Sequence, residues 1–134
     1  MAELSLWADY SHLSSIRRFV TEVGEDFGIP ERELYELTLA IDEACTNVIE
    51  HGYHGVGGKI EIQIQALNGS VQVVIRDWGE PFDPESVPTP DVTAPLEERP
   101  MGGVGLFLMR KVMSEVQFAF DPQGGNTLTM TKRW

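Results

Sequence analysis

The sequence has one cysteine, few basic residues and no long apolar run, and each of these absences excludes a class of protein. A single cysteine among 134 residues cannot form an internal disulfide, so the fold must depend on a hydrophobic core. No stretch approaches the roughly 18 consecutive apolar residues of a membrane-spanning helix, and the N-terminal sequence lacks the basic start and apolar run of a signal peptide. We therefore expect a soluble, cytoplasmic protein that does not associate with membranes.

Basic residues are scarce, with 10 Lys and Arg against 21 Asp and Glu and a net charge of −11. Proteins that bind nucleic acid directly need basic patches for the phosphate backbone, so this composition argues against such a partner. The same charge repels free phosphates. A phosphate ligand would therefore need a metal ion and backbone N–H groups to offset the acidic field. The alternative interpretation is that the charge only maintains solubility.

Alternation of apolar and polar residues predicts strands, and apolar residues spaced by three and four predict helices. The predicted helices run from an N-cap at Ser11 to Gly28, from Pro30 to about Glu50, and over 107–113. Strands with one apolar face need cover on one side only, so we expect a single-domain (1–134) two-layer α/β sandwich, with a mixed sheet covered on one face by about three helices. The predicted strands cover 3–8, 60–65, 71–75, 116–120 and 128–130.

Residues 80–101 differ in composition from the rest of the chain. They hold six of the eight prolines and six acidic residues, with hardly any large apolar side chains. Proline at this density is incompatible with a helix or strand. A loop of about 20 residues inside a compact domain is commonly a lid or binding loop, and we predict a lid. A disordered insertion would account for the composition equally well.

One helical face carries polar side chains where a packed core would not accept them. Glu43, Asn47 and His51 are four residues apart, which keeps them along one face of the second helix. A polar group buried without a partner costs roughly 1–3 kcal/mol, so this row is better suited to lining a polar cleft. Oxygen-bearing groups suit a hard cation such as Mg²⁺ brought by phosphates, and a carboxylate can act there as a general base. Cys45, in the same helix, is interpreted as a small core residue rather than a reactive thiol.

Glycines occur at both ends of the predicted lid. Before it, a strand ends in Asp77-Trp78-Gly79, and after it Gly103-Val104-Gly105-Leu106 leads into an apolar helix. Glycines at a helix start let backbone N–H groups approach a phosphate, and the helix dipole favours the anion. Taken alone this signal is weak, because the same glycines serve equally well as a flexible helix entry. The G-K-[ST] sequence of a P-loop does not follow them.

The ordered set of motifs is more specific than any one of them. E-x-x-x-N-x-x-x-H on a helix, D-x-G ending a strand, a long loop and G-x-G-L opening a helix resemble the GHKL (histidine-kinase-like) ATPases, whose shared domain is the Bergerat fold, over about residues 34–131. The resemblance implies ATP and Mg²⁺ as ligands, Asn47 as the Mg²⁺ ligand, Glu43 as the catalytic base and Asp77 as acceptor for the adenine amino group. His51 is left with a structural role. Further nucleotide contacts are implied for Gly79, Gly103, Val104, Gly105, Leu106 and Thr127.

Within that superfamily the chain is most similar to the small anti-sigma-factor serine/threonine kinases. The run AIDEACTN (40–47), followed by His51-Gly52-Tyr53, is close to their first motif, and RRFV (17–20) on the first helix also fits them. Pro81 departs from histidine kinases, which commonly have a second glycine there. The resemblance implies a kinase that phosphorylates a Ser or Thr of an anti-anti-sigma (STAS) protein and sequesters a sigma factor, and a homodimer is expected by the same analogy.

Two other functions remain open at this point. One is a non-catalytic nucleotide-binding switch whose lid selects a partner. Glu43 favours the kinase over this switch, because binding alone does not require a base. The other is a metal hydrolase using Glu50, His51 and His54, although H-x-x-H in a glycine-rich loop lacks the helical spacing of a typical zinc pair.

Overall fold

The computed structural model describes residues 1–84 and 103–134, which form one sheet and a layer of helices. The sheet order is β1-β2-β3-β5-β4. The two-layer α/β sandwich predicted from the sequence is confirmed. The strands are β1 Ala2–Ala8, β2 Gly58–Leu67, β3 Ser70–Asp77, β4 Glu115–Asp121 and β5 Gly125–Arg133. The helices are α1 Leu13–Asp26, α2 Glu31–Asn47 and α3 Gly103–Val112.

The sheet is antiparallel at all four described strand pairings, so the expectation of a mixed sheet was wrong. β3 and β4 run in the same direction, as a helical crossover between them requires. The β4–β5 hairpin, however, folds back so that β5 lies between them and pairs with both. The register of β5 on β3 places Asn126 opposite Asp77, at the end of β3 where the predicted D-x-G motif begins.

The start of α1 differs from the prediction, because Ser11 is not its N-cap. Asp9 accepts a hydrogen bond from Ser11 N at 2.9 Å and caps a single 3₁₀ turn, Tyr10–His12. The α-helix begins only at Leu13. The Asp9 carboxylate therefore binds the N–H group of Ser11 itself, and the N-cap residue of α1, His12, makes no side-chain cap hydrogen bond.

The end of α2 contains a π turn that the sequence did not predict. The α-helix ends at Asn47 and continues as a π-helical turn, Val48–Gly52, in which Tyr53 N donates to Val48 O at 2.9 Å. Turns of this kind are rare and frequently mark functional sites. Here it places the chain after Asn47 beside the end of β3.

One hydrophobic core lies between the helices and the inner face of the sheet. It includes Ile16 and Val20 of α1, Leu37 and Ile41 of α2, and Met109 of α3. Burying such a side chain contributes roughly 1.5–3 kcal/mol, so these residues dominate the stability of the layer contact. The sheet contributes Ile60, Ile62, Ile64, Val71, Val73, Ile75, Leu128 and Met130 to the same core. In residues 1–84 and 103–134, no helix is both long and apolar enough to span a membrane.

Cys45 belongs to this core and is fully buried. Burial, together with the charges of Asp42 and Asp77, raises the pKa of the Cys45 thiol to about 12. The thiol therefore stays protonated and unreactive at neutral pH. The interpretation of Cys45 as a core residue is confirmed.

Candidate functional site

A pocket of about 560 Å³, counting the open space at its mouth, lies between α2, the π turn, α3 and the β3–β5 end of the sheet. Three residues predicted to bind nucleotide line it, namely Asn47, Asp77 and Thr127. Most of the remaining wall is apolar and suits a flat, poorly solvated ring: Ala44, Val48, Ile75, Phe82, Met109, Phe118 and Leu128.

Asp77 provides a buried carboxylate at one end of this pocket and is only 7% exposed. Its Oδ1 accepts hydrogen bonds from Gly79 N and Asn126 Nδ2, each at 2.9 Å. Burial raises the pKa of Asp77, and the hydrogen bonds from Asn126 and Gly79 offset part of that rise. No described residue donates to Oδ2, so the carboxylate retains an acceptor for an amino group of a ligand.

Gly79 of the D-x-G segment packs directly against the backbone of the π turn. A Cβ at this position would lie 2.5 Å from Gly52 O and 2.9 Å from Gly52 Cα. Glu80 N donates to Gly52 O at 2.8 Å, and Trp78 N donates to the hydroxyl of Tyr53 at 2.8 Å. The sequence predicted that Gly79 allows a ligand to approach closely. In the structure, Gly79 allows the close approach of the backbone that follows Asn47.

Gly105 lies against both polar residues of α2. A Cβ on it would be 2.9 Å from Glu43 Oε2, 3.4 Å from Asn47 Nδ2 and 3.6 Å from Asn47 Oδ1. Because α3 begins at Gly103, the N–H groups of its first turn have no partner within the helix. The G-x-G motif thus brings a helix N-terminus to a carboxylate and an amide, a combination that suits a phosphate with a hard cation.

Glu43 is partly buried beside Gly105. Burial raises its pKa, and the charges of Asp42 and Glu50 raise it further. Arg17 Nε donates to Asp42 Oδ1 at 2.8 Å and neutralises one of those charges from α1. A carboxylate with a raised pKa is a stronger base, which is the chemistry predicted for Glu43.

His51 and His54 take different positions. His51 lies in the π turn and lines the pocket with Asn47, and its Nε2 is 3.8 Å from Glu50 Oε2. His54 pairs instead with Glu80, with 2.8 Å between Nε2 and Oε2. Within the described part of the chain, no three His, Cys, Asp or Glu side chains form a group able to hold a metal ion. His54 is thus directed to Glu80, away from the arrangement that the hydrolase hypothesis requires.

The remaining predicted site residues lie in different environments. Gly103 and Val104 form the start of α3, whereas the Leu106 side chain is 3% exposed and packs in the core. Most of the predicted lid, 80–101, lies outside the described residues, which include only 80–84 of it. Asn126 is a pocket residue that the sequence reasoning missed.

The sequence from residue 6 to residue 132 matches the family described as "Histidine kinase-like ATPase domain". The chain belongs to this family. Its relatives include the serine-protein kinases RsbW of Bacillus thuringiensis (strain Al Hakam) and Bacillus cereus (strain 03BB102), both 29% identical over 97% of this chain and 82% of the relative. The RsbW of Bacillus anthracis (strain CDC 684 / NRRL 3495) is 28% identical over the same shares.

A solved structure of the RsbU and RsbW domains of Rv1364c from Mycobacterium tuberculosis has the same fold as this histidine kinase-like ATPase domain. The TM-score is 0.64 at 21% identity, and the match covers 99% of this chain and 32% of that chain. This protein therefore spans about a third of the length of that solved chain. The predicted resemblance to GHKL ATPases, and to the serine/threonine kinases among them, is confirmed.

Gly79→Ala is expected to destabilise this ATPase domain by roughly 1–3 kcal/mol, because the new methyl group collides with the backbone of Gly52 rather than with a movable side chain. ATP binding should weaken with it, since the shift displaces the N–H group that holds Asp77. Urea unfolding measures the first effect and calorimetric titration with ATP the second. An unfolding midpoint equal to that of the wild type would contradict the packing of Gly79 on the π turn.

Gly105→Ala is expected to weaken ATP binding without lowering the stability of the fold. The nearest atom is the end of the flexible Glu43 side chain, and Ala is up to about 1 kcal/mol more favourable than Gly in a helix, so stability should stay equal or rise. The methyl group would nevertheless fill the space between Glu43 and Asn47. We expect the affinity for ATP with Mg²⁺ to fall about tenfold, corresponding to 1.4 kcal/mol. Unchanged ATP affinity would show that phosphate does not occupy this space.

Proposed function

We propose that this protein is an ATP- and Mg²⁺-dependent protein serine/threonine kinase of the anti-sigma type. It would phosphorylate a Ser or Thr of an anti-anti-sigma (STAS) partner and sequester a sigma factor, acting in the cytoplasm. Support comes from the family membership and from relatives named serine-protein kinases. It also comes from the pocket that joins Asn47, Asp77 and Thr127.

The contact of Gly105 with Glu43 and Asn47 is the observation that carries this proposal. It favours a kinase over a simple binding module because it brings a carboxylate with a raised pKa to the helix N-terminus where phosphates would lie. The protein residues also fit the two ligands. An amide oxygen at Asn47 suits a hard cation, and Oδ2 of Asp77, to which no residue of the described part of the chain donates, suits an amino group of a base.

Bound ATP with Mg²⁺ would supply the phosphoryl group and neutralise its charge. Glu43 would accept the proton of the partner's hydroxyl as the new O–P bond forms and ADP leaves. Asn47 would hold the metal, and the N–H groups at the start of α3 would face the phosphates. Asp77 would orient the adenine. Positioning of this kind accounts for most catalysis in phosphoryl transfer.

The direct test is incubation of the protein with γ-labelled ATP, Mg²⁺ and a purified STAS-domain protein. We expect label on one Ser or Thr of the partner, and none when that residue is replaced by Ala. A protein that binds ATP but never labels a STAS partner would contradict the kinase proposal. It would favour the second candidate, a non-catalytic ATP-binding switch in a bacterial partner-switching pathway.

A further inference from the structure

Asn126 joins the two residues that form the base end of the pocket. It lies at the start of β5, directly opposite Asp77 in the sheet, and lines the pocket. Its Nδ2 donates one hydrogen bond to Asp77 Oδ1 at 2.9 Å and another to Gly79 O at 3.1 Å. Both hydrogens of the amide are therefore used on the D-x-G motif.

The orientation of this amide follows from its neighbours. A carboxylate oxygen and a carbonyl oxygen are both acceptors, so only the NH₂ side of Asn126 can satisfy them. Rotating the amide by half a turn would bring its own oxygen against two oxygens. The side chain is consequently locked to one orientation.

The turn before Asn126 is held to the same place by contacts of its own. Arg76 Nη2 donates to Gly124 O at 2.8 Å. Gly125 has a φ of +82°, and a Cβ there would lie 2.5 Å from Asp77 O, so only glycine allows this approach. These backbone contacts thus place Asn126 beside Asp77.

We propose that Asn126 is a positioning residue that sets the base selectivity of the pocket. By fixing Oδ1 of Asp77, it leaves Oδ2 as the acceptor for the nucleobase. Adenine presents its 6-amino group, from which a carboxylate can accept, whereas guanine in the same orientation presents its 6-carbonyl oxygen, which a carboxylate repels. Without Asn126, the Gly79 N–H would be the one remaining donor to the Asp77 carboxylate among residues 1–84 and 103–134, and the preference for adenine would weaken. The inference rests on the proposed function, since it concerns the same ATP pocket.

The test compares the dissociation constants of ATP and GTP, with Mg²⁺, for the wild type, Asn126→Ala and Asn126→Thr. In Asn126→Ala we expect ATP affinity to fall about 10- to 100-fold, as when a hydrogen bond that orients a charged group is lost, while GTP affinity changes less than about threefold. In the kinase assay, KM for ATP should rise with kcat at saturating ATP unchanged. Asn68→Ala, in the exposed hairpin turn between β2 and β3, is the matched control and should change neither.

Each outcome of this test decides the inference. A wild type that prefers ATP, with a preference that is lost in Asn126→Ala, supports it. A preserved ATP preference, or an equal loss for ATP and GTP, overturns it and leaves the proposed function intact. A wild type that binds neither nucleotide overturns the proposed function as well. If Asn126→Ala does not fold, Asn126→Thr decides, because Thr suits a strand and can keep at most one of the two hydrogen bonds; an unchanged preference there overturns the inference.

Discussion

Glu43→Gln is expected to lower the rate of phosphoryl transfer by about 10²- to 10⁴-fold, the usual worth of a general base, with little change in ATP affinity. Gln has nearly the same shape as Glu but cannot accept the proton of the attacking hydroxyl. The residues assigned to metal and adenine, Asn47 and Asp77, are untouched. The change therefore separates chemistry from binding, which is the difference between a kinase and a switch.

The transfer rate of Glu43→Gln is best measured in a single turnover, with label passing from ATP to a STAS partner, alongside calorimetric titration of ATP. Glu31→Gln is the matched control, because Glu31 is an exposed residue in the first turn of the same helix. It should transfer phosphate at the wild-type rate. If Glu43→Gln also does so, Glu43 is not the base.

Asp77→Asn is expected to lower ATP affinity about 10- to 100-fold, because a hydrogen bond between the adenine amino group and a charged acceptor is replaced by contact with an amide that can also donate. The folded structure should tolerate the change. An Asn oxygen can still accept from Gly79 N and Asn126 Nδ2, the two donors that now hold Oδ1.

The difference in stability between the wild type and Asp77→Asn should depend on pH in a defined direction. Burial raises the pKa of Asp77 above its ordinary 3.8, so the folded protein favours the protonated carboxyl. The stability contributed by this group is therefore full below 3.8 and is lost as the pH rises through the raised pKa. At neutral pH the variant should unfold at an equal or higher urea concentration than the wild type, and this advantage should shrink as the medium is acidified. A lower midpoint at neutral pH together with retained ATP binding would contradict this role for Asp77.

The elements of the fold could be predicted because each has a local pattern, such as the alternation of Ile60, Ile62 and Ile64 in β2. The pairing of the sheet could not, since β5 reaches its place between β3 and β4 only through long-range contacts. Local sequence also gave no signal for the π turn after Asn47. Gly52 O, in this turn, accepts from Glu80 N, and Gly52 packs on Gly79; both contacts come from residues distant in the chain.

The site residues also divide into those that local sequence predicts and those that only the folded structure reveals. Glu43, Asn47 and Asp77 lie in motifs with fixed spacing. The structure places Asn47 and Asp77 in one pocket, and Glu43 lies beside Asn47 at Gly105. Asn126 belongs to no such motif and follows two glycines, Gly124 and Gly125. The sequence nevertheless contained a signal for Asn126. Alternate residues of a strand face the same side of the sheet, so residue 126 lies on the same face as the buried Leu128 and Met130. A polar residue on that inner face needs a hydrogen-bond partner. Identifying Asp77 as that partner required the register of β5 on β3.

The most direct test of the ATP pocket is the affinity for ATP with and without Mg²⁺, measured by calorimetry for the wild type and Asn47→Ala. Ala is a strong helix former, so the variant should fold normally. We predict that Mg²⁺ tightens ATP binding to the wild type by about tenfold or more and that Asn47→Ala loses this gain. If Asn47→Ala binds ATP with the affinity and Mg²⁺ dependence of the wild type, the assignment of this cleft to Mg²⁺ and phosphate is wrong.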